Sequence, residues 1–263
     1  MNIEYLKKTF GLDGRTAVVT GASSGIGRGI AEALADMGAH VALFGRSRER
    51  LLAAEEEIRR RGGSCESSIV DITDKAGVES ALRKFKDRHG YLDIFVANAG
   101  FNVRSELLET AQEDIDALIN TDYKGTLHGV MEAGRLMREQ KSGNIVIISS
   151  VNGISAMANL AVYSSIKYAL EGITRALAAS LGEYGVRVNS CAPGVVISGM
   201  NCHVYENEEN RRSKLQSIPL GKLGKPSDIG SVVAAMVSDG FSFMTGTTVL
   251  VDGGELLRQK QKQ

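Results

Sequence analysis

Arg15-Thr16-Ala17-Val18-Val19-Thr20 runs directly into Gly21-Ala22-Ser23-Ser24-Gly25-Ile26-Gly27, and then into the patterned stretch Arg28-Gly29-Ile30-Ala31-Glu32-Ala33-Leu34-Ala35-Asp36-Met37-Gly38. A β-branched run, a glycine cluster and an amphipathic run thus follow one another in the order strand, turn, helix. Glycines let a backbone turn sharply and come close to a pyrophosphate, while the free N–H groups and positive end of the following helix favour the anion. On this reading Gly21, Ser23, Ser24, Gly25, Ile26 and Gly27 form a phosphate cradle. The alternative is a plain tight turn, which the order of elements disfavours.

The rhythm continues outward from that stretch. Further strand candidates are His40 to Phe44, Cys65 to Val70, Leu92 to Ala97, Asn144 to Ser149, Val186 to Ala192 and Thr248 to Val251, separated by longer amphipathic runs. Seven strands alternating with helices predict βα units around one parallel sheet. Several strands are almost wholly apolar, as expected where helices cover both faces, so the predicted fold class is a doubly wound α/β Rossmann fold. No linker, composition shift or repeat divides residues 1–263, and a single domain is expected. Pro193, Pro219 and Pro226 all fall in a late segment that reads as irregular.

The composition limits the function. Lysine plus arginine equals aspartate plus glutamate at 31 each, so no net field recommends nucleic acid or an anionic membrane as a partner. The opening MNIEYLKKTFGLDG lacks the apolar core of a signal peptide, and no run approaches the ~18 apolar residues needed to cross a bilayer. A cytoplasmic protein acting on a small molecule is expected. Cys65, Cys191 and Cys202 are scattered without metal-binding spacing, so reduced thiols and no metal site are expected.

The cofactor is read at the ends of successive strands. Roughly 20 residues past such a glycine turn, an NAD site offers a carboxylate to the ribose hydroxyls. Here Gly45 is followed by Arg46-Ser47-Arg48. A missing carboxylate removes the repulsion of a 2′-phosphate, and a guanidinium binds phosphate through paired charge-assisted hydrogen bonds. NADP(H) is therefore preferred, with NAD(H) use left open; the alternative makes Arg46 a solvated loop residue beside Ser47 as a helix N-cap. Asp71, followed by Ile72, has two open readings, an adenine contact or the cap of the helix that starts near Asp74. Small residues in Asn98-Ala99-Gly100 leave room for a flat ring against the fourth strand.

Tyr163 and Lys167 lie four apart at the start of a strongly patterned helix, which stacks them on one face. A phenol near pKa ~10 is a poor base at neutral pH, but a neighbouring ammonium ion stabilises the phenolate, so the pair suits general acid and base work on a carbinol. Ser150 closes the fifth strand at the carboxyl edge of the sheet, where ligands bind in this architecture, and its hydroxyl is placed to hold a substrate oxygen.

TGASSGIG, NAG, Ser150, YSSIK and PGVVIS together resemble the extended-substrate-loop form of the short-chain dehydrogenase/reductase family over nearly the whole chain. The resemblance implies an oxidoreductase in which Ser150 polarises the carbonyl or alcohol, Tyr163 exchanges the proton and Lys167 binds the nicotinamide ribose, with pro-S hydride transfer. It also implies strand order 3-2-1-4-5-6-7 and a homotetramer, a homodimer being the smaller assembly. Pro193, Gly194 and Val196, with Ser198 at a position where members often carry threonine, extend the implied cofactor site. One position departs. The family usually has asparagine three residues before the glycine where INTDYKG places Asp122, with Asn120 two positions earlier. Asp122 falls at helical spacing from Leu118 and Ile119 on an inward face. It is expected to be tolerated, pairing through water with Lys167; a hundredfold gain on Asp122→Asn would mark an impaired or repurposed member.

The segment after Pro193-Gly194 resembles the family's substrate loop, and a lid is expected around residues 195–222. Met200, His203 and Tyr205 are its candidate pocket residues, with loop-surface placement the alternative. Asn102, Arg104 and Asn152 are expected to face a hydroxylated or anionic substrate. FGRSRERL and the surroundings of Arg104 resemble gluconate 5-dehydrogenases, although 3-oxoacyl carrier-protein reductases share most of these motifs and hydroxysteroid dehydrogenases remain an alternative. The rival of another class is a non-catalytic NADP-binding sensor or scaffold, supported by Asp122 alone.

Overall fold

The computed structural model describes residues 2–198 and 205–257. Seven strands, β1 (Thr16–Thr20), β2 (His40–Gly45), β3 (Ser64–Ile69), β4 (Ile94–Ala97), β5 (Gly143–Ile148), β6 (Val186–Pro193) and β7 (Thr248–Val251), form one sheet in the order β3-β2-β1-β4-β5-β6-β7. Every neighbouring pair is parallel. The expected strands are all present, their bounds moved by no more than two residues. The order reverses at β1, which lies between β2 and β4, and this opens a crevice beyond the carboxyl ends of those strands.

Alternation along the inner strands divides the core in two. In β1, Ala17 and Val19 point into one cluster and Val18 into the other. The first face is covered by α2 (Gly25–Asp36), α3 (Arg48–Arg60) and α9 (Pro226–Val237), through residues such as Ile30, Leu34, Leu51, Ile58, Ile229 and Val233. The second is covered by α4 (Lys75–His89), α6 (Thr126–Gln140) and α7 (Ala161–Leu181), through Leu82, Phe85, Val130, Met137, Leu170 and Leu181. Each large aliphatic or aromatic side chain buried this way contributes about 1.5–3 kcal/mol before entropy is counted. Outside these layers lie α1 (Ile3–Phe10), α5 (Gln112–Leu118) and α8 (Glu208–Ser217).

Local signals account for several ends. Ser47 caps α3, its side chain accepting from the Arg50 N–H, and Asn207 caps α8 by accepting from Glu209 and Asn210. The prolines correct the expectation of an irregular late segment. Pro193 is the last residue of β6, and Pro226 is the first of α9, where a missing N–H costs nothing; only Pro219 lies in a turn. The 195–222 segment contains α8 and returns to the end of β6 through a bridge between Val196 and Gly224. Among the described residues no helix is long and apolar enough to cross a membrane. Cys65 and Cys191 are free thiols, and burial pushes Cys191 up to about 12; Cys202 lies outside the described residues.

Candidate active site

The crevice at the strand-order reversal is a cleft of about 740 Å³. Its floor is the glycine turn between β1 and α2. Gly21 and Gly25 have φ of 66° and 56°, in the left-handed region where a side chain is strained. A Cβ on Gly27 would meet Gly21 O and Asn98 Nδ2 at 2.4 Å, so the backbone of the turn is bare because nothing larger fits. Asn98 pins the turn from β4, its Nδ2 donating to Thr20 O at 2.9 Å while its own N–H donates to Thr20 Oγ1. Ser24 precedes α2 but makes no side-chain cap, which leaves the first N–H groups of that helix for a ligand. Ser198 leans over the same turn, since a Cβ on Gly25 would lie 3.1 Å from the Ser198 Cβ. These features fit a dinucleotide pyrophosphate.

At the end of β2, Arg46 lines the cleft and is exposed, and Ser47 lines it while capping α3. The cap by Ser47 is thus present, and Arg46 stands exposed at the cleft edge. Arg50 lines the cleft as well. It was not expected, although its place one helical turn beyond Arg46 was the available signal. Asp71 lines the cleft with Ile72, and its Oδ1 accepts from the N–H and hydroxyl of Thr73 at 2.9 and 2.8 Å. Those two bonds, with a smaller contribution from the Arg46 charge, hold its carboxyl below the usual range. Asp71 is not the cap of α4; that place belongs to Asp74.

The side chains expected to handle the proton come from the exit of β5 and from α7. β5 ends at Ile148, so Ser150 stands just past the strand rather than closing it, as the N-cap of the 3₁₀ turn Val151–Gly153. Its Oγ accepts from the Asn152 N–H at 3.1 Å, which leaves its proton to donate into the cleft. Asn152 Oδ1, buried in the same wall, makes no hydrogen bond among the described residues. Tyr163 and Lys167 share a face of α7, with Lys167 Nζ 5.3 Å from the Tyr163 ring centre. Lys167 is 5% exposed and donates to Ile148 O at 3.2 Å.

Asp122 is 1% exposed and sits in a π-helical turn, Ile119–Gly125, inserted between α5 and α6. Its Oδ1 accepts from the Phe101 N–H at 3.0 Å, and its Oδ2 lies 3.6 Å from Lys167 Nζ. That distance is too short for an intervening water, so the expected water-mediated pairing is replaced by direct ion-pair contact. Gly100 makes room for it: a Cβ there would come within 2.6 Å of Oδ2. Asn120 faces solvent and accepts from Lys124, so it does not stand in for the family's asparagine. Burial raises Asp122 above the usual carboxylate range against the pull of Lys167 and the Phe101 N–H. Burial likewise opposes the Lys167 charge, but Tyr163 and Asp122 outweigh it and raise Lys167 above an ordinary lysine.

Asn102 and Arg104 line the cleft. Tyr205 joins them; burial pushes its phenol up, opposed by the nearby Arg104 charge. Gly194 and Val196 line the cleft, but Pro193 does not: it is buried in β6 and paired with Val251. Met200 and His203 lie outside the described residues. Met157, Lys214 and Glu255 were missed. Lys214 and Glu255 form an ion pair, and Glu255 Oε2 accepts from the Val195 N–H, a contact between segments far apart in the chain.

Residues 21–255 match the family described as enoyl-(acyl carrier protein) reductase. The chain belongs to the short-chain dehydrogenase/reductase family. Its members act as oxidoreductases on CH–OH and C=O groups. Among relatives, a chloroplastic tropinone reductase homolog of Arabidopsis thaliana is 34% identical over 249 residues, 94% of this chain and 77% of that protein. The 3-oxoacyl-acyl-carrier-protein reductase of Staphylococcus aureus is 34% identical over 241 residues, 91% of this chain and 97% of that one. A Beutenbergia cavernae structure, provisionally named an NAD(P)-dependent gluconate 5-dehydrogenase and holding NADP at low occupancy, superposes with a TM-score of 0.90 at 33% identity, covering 95% of this chain and all of that one.

Proposed function

We propose that this short-chain dehydrogenase/reductase is an NADP(H)-dependent enzyme that interconverts a secondary alcohol and a ketone on a small hydroxylated acid, a sugar acid or polyol. The observation that carries the reading is the convergence of the bare glycine turn, Arg46 and Ser150, Tyr163 and Lys167 on one cleft. When bound, the nicotinamide supplies the hydride. Gly21 to Gly27 and the start of α2 would hold its pyrophosphate, and Arg46 with Arg50 the 2′-phosphate, by bidentate charge-assisted bonds.

In the reducing direction, Ser150 donates its hydroxyl proton as a hydrogen bond to the substrate carbonyl oxygen. Tyr163 gives its phenolic proton to that oxygen as the carbon accepts the hydride, and the Lys167 ammonium stabilises the phenolate left behind. Asp122 and Ile148 O hold Lys167 in position. Arg104 and the unpaired Asn152 Oδ1 supply a cation and an acceptor for a carboxylate and hydroxyls, which favours an acid sugar over an acyl thioester or a steroid. The 195–222 segment acts as the lid. A homotetramer or homodimer accompanies this reading, with exposed Phe241, Phe243 and Leu250 offering an apolar surface to a second copy.

The test is a fluorescence titration with NADPH and NADH, followed by turnover on keto-sugar acids, oxoacyl thioesters and ketosteroids. Tighter NADPH binding with turnover on keto-sugar acids supports the proposal. Turnover on another class moves the substrate, and NADPH binding without turnover favours a sensor. Tyr163→Phe should cost about 10²- to 10⁴-fold in kcat with NADPH binding kept.

A further inference from the structure

At the opposite end of the sheet from the cleft, side chains from three elements meet. His40 opens β2, Glu66 lies in β3 and His89 is the last residue of α4. One donor atom from each, two ring nitrogens and a carboxylate oxygen, fall within 4.8 Å of one another.

The arrangement leaves ligand atoms idle. Nε2 of His40 and Nε2 of His89 are shut off from solvent, and among the described residues neither makes a hydrogen bond. The acceptor nearest His89 Nε2 is Glu66 Oε1 at 3.5 Å. Buried polar atoms are nearly always satisfied, so two idle imidazole nitrogens in one cluster call for an explanation. Their surroundings are ordered for ligation. His40 Nδ1 lies 2.7 Å from Ser64 Oγ, and a proton donated along that contact leaves the Nε2 lone pair turned inward. Arg88 holds Glu66 Oε2 at 2.6 Å, which leaves Oε1 to the imidazoles. The His40 and His89 rings are 4.6 Å apart, with Phe85 4.6 Å from His89 on the core side. The carbonyl end of α4, with its negative partial charge, closes the site.

We propose that His40, Glu66 and His89 bind one divalent transition-metal ion, zinc by the chemistry of the donor set. Two imidazoles and a carboxylate with a water in the fourth position form a known zinc shell. Bonds of about 2.0–2.1 Å at tetrahedral angles put donors roughly 3.4 Å apart, so side-chain rotation alone closes the set around the ion. The ion ties edge strand β3 to β2 and α4 and lies apart from the cleft, so its role is structural.

The experiment uses the untagged full chain, stripped by chelator and titrated with Co²⁺, whose visible absorption reports four-coordinate geometry. One Co²⁺ per chain, displaced by Zn²⁺ and weakened at least about tenfold in both His89→Gln and Glu66→Gln, is the expected result. Absence of binding, or binding unchanged in both variants, overturns the proposal. Should a variant fail to fold, the wild-type long-range ¹H–¹⁵N histidine spectrum decides. Zn²⁺ must shift the Nε2 signals of two of the four histidines, His40 and His89; any other pattern refutes the site.

Discussion

Asp122→Ala removes the carboxylate and leaves Lys167 buried with one remaining acceptor, Ile148 O. At 3.6 Å the two charges attract by about 5 kcal/mol at an effective dielectric near 20. Much of that is offset by the cost of burying the carboxylate, which is why its pKa rises. Taking away one partner leaves the burial cost of the lysine uncompensated, a loss of about 3–5 kcal/mol, and the Phe101 N–H loses its acceptor for about 1 kcal/mol more. At roughly 2–4 °C per kcal/mol for a chain of this size, Asp122→Ala should melt at least about 10 °C below wild type. Asp122→Asn keeps an acceptor for Phe101 and removes the burial cost along with the charge, so it should lose no more than about half as much.

Thermal unfolding followed by circular dichroism across pH measures this. The proton held more tightly by folded Asp122 contributes stability that is present below about pH 4 and lost as pH rises through its raised value. The pairing of Lys167 contributes stability that is fully present below the ordinary lysine value of 10.5 and lost as pH rises through its higher folded value. The advantage of wild type over Asp122→Asn should shrink in both windows. If Asp122→Ala melts within about 2 °C of wild type, or Asn costs as much as Ala, the carboxylate does not hold the lysine charge and the reasoning fails.

Gly27→Ala places a Cβ 2.4 Å from Gly21 O and Asn98 Nδ2, so the turn must open; a stability loss of about 1–3 kcal/mol and loss of NADPH binding in the fluorescence titration are expected. Arg46→Ala removes a charge-assisted contact worth about 1.5–3 kcal/mol and should weaken NADPH binding by roughly 10- to 100-fold while leaving NADH nearly unchanged; equal losses for both would place Arg46 elsewhere.

The strand–turn–helix at residues 15–38 was legible because each step is a local preference. Strand runs are β-branched, the turn demands glycine, and the helix shows its apolar period. Tyr163 and Lys167 were legible for the same reason, four apart on one helix. The partner of Lys167 was not: helical spacing turned Asp122 inward, but the π-helical turn that carries it and its approach to α7 depend on how α5 and α6 pack. Ser150 was displaced from strand end to turn start because β5 stops pairing at Ile148. Lys214 and Glu255 escaped notice because each is an ordinary surface residue type until the chain folds back.

Periodicity, glycine placement and the alternation of strands and helices determined the α/β class, the tight glycine turn after β1 and the shared helix face of Tyr163 and Lys167, since backbone hydrogen bonding and side-chain direction act over a few residues. Tertiary packing decided the rest. It brings α2 and α9 together at Gly29 and Gly230, where a Cβ on Gly230 would lie 2.2 Å from Gly29 O. It sets Asp122 against Lys167, and gathers His40, Glu66 and His89 at the far end of the sheet. Those contacts join residues distant in the chain, and their geometry is set by which faces the sheet and helices can bury together.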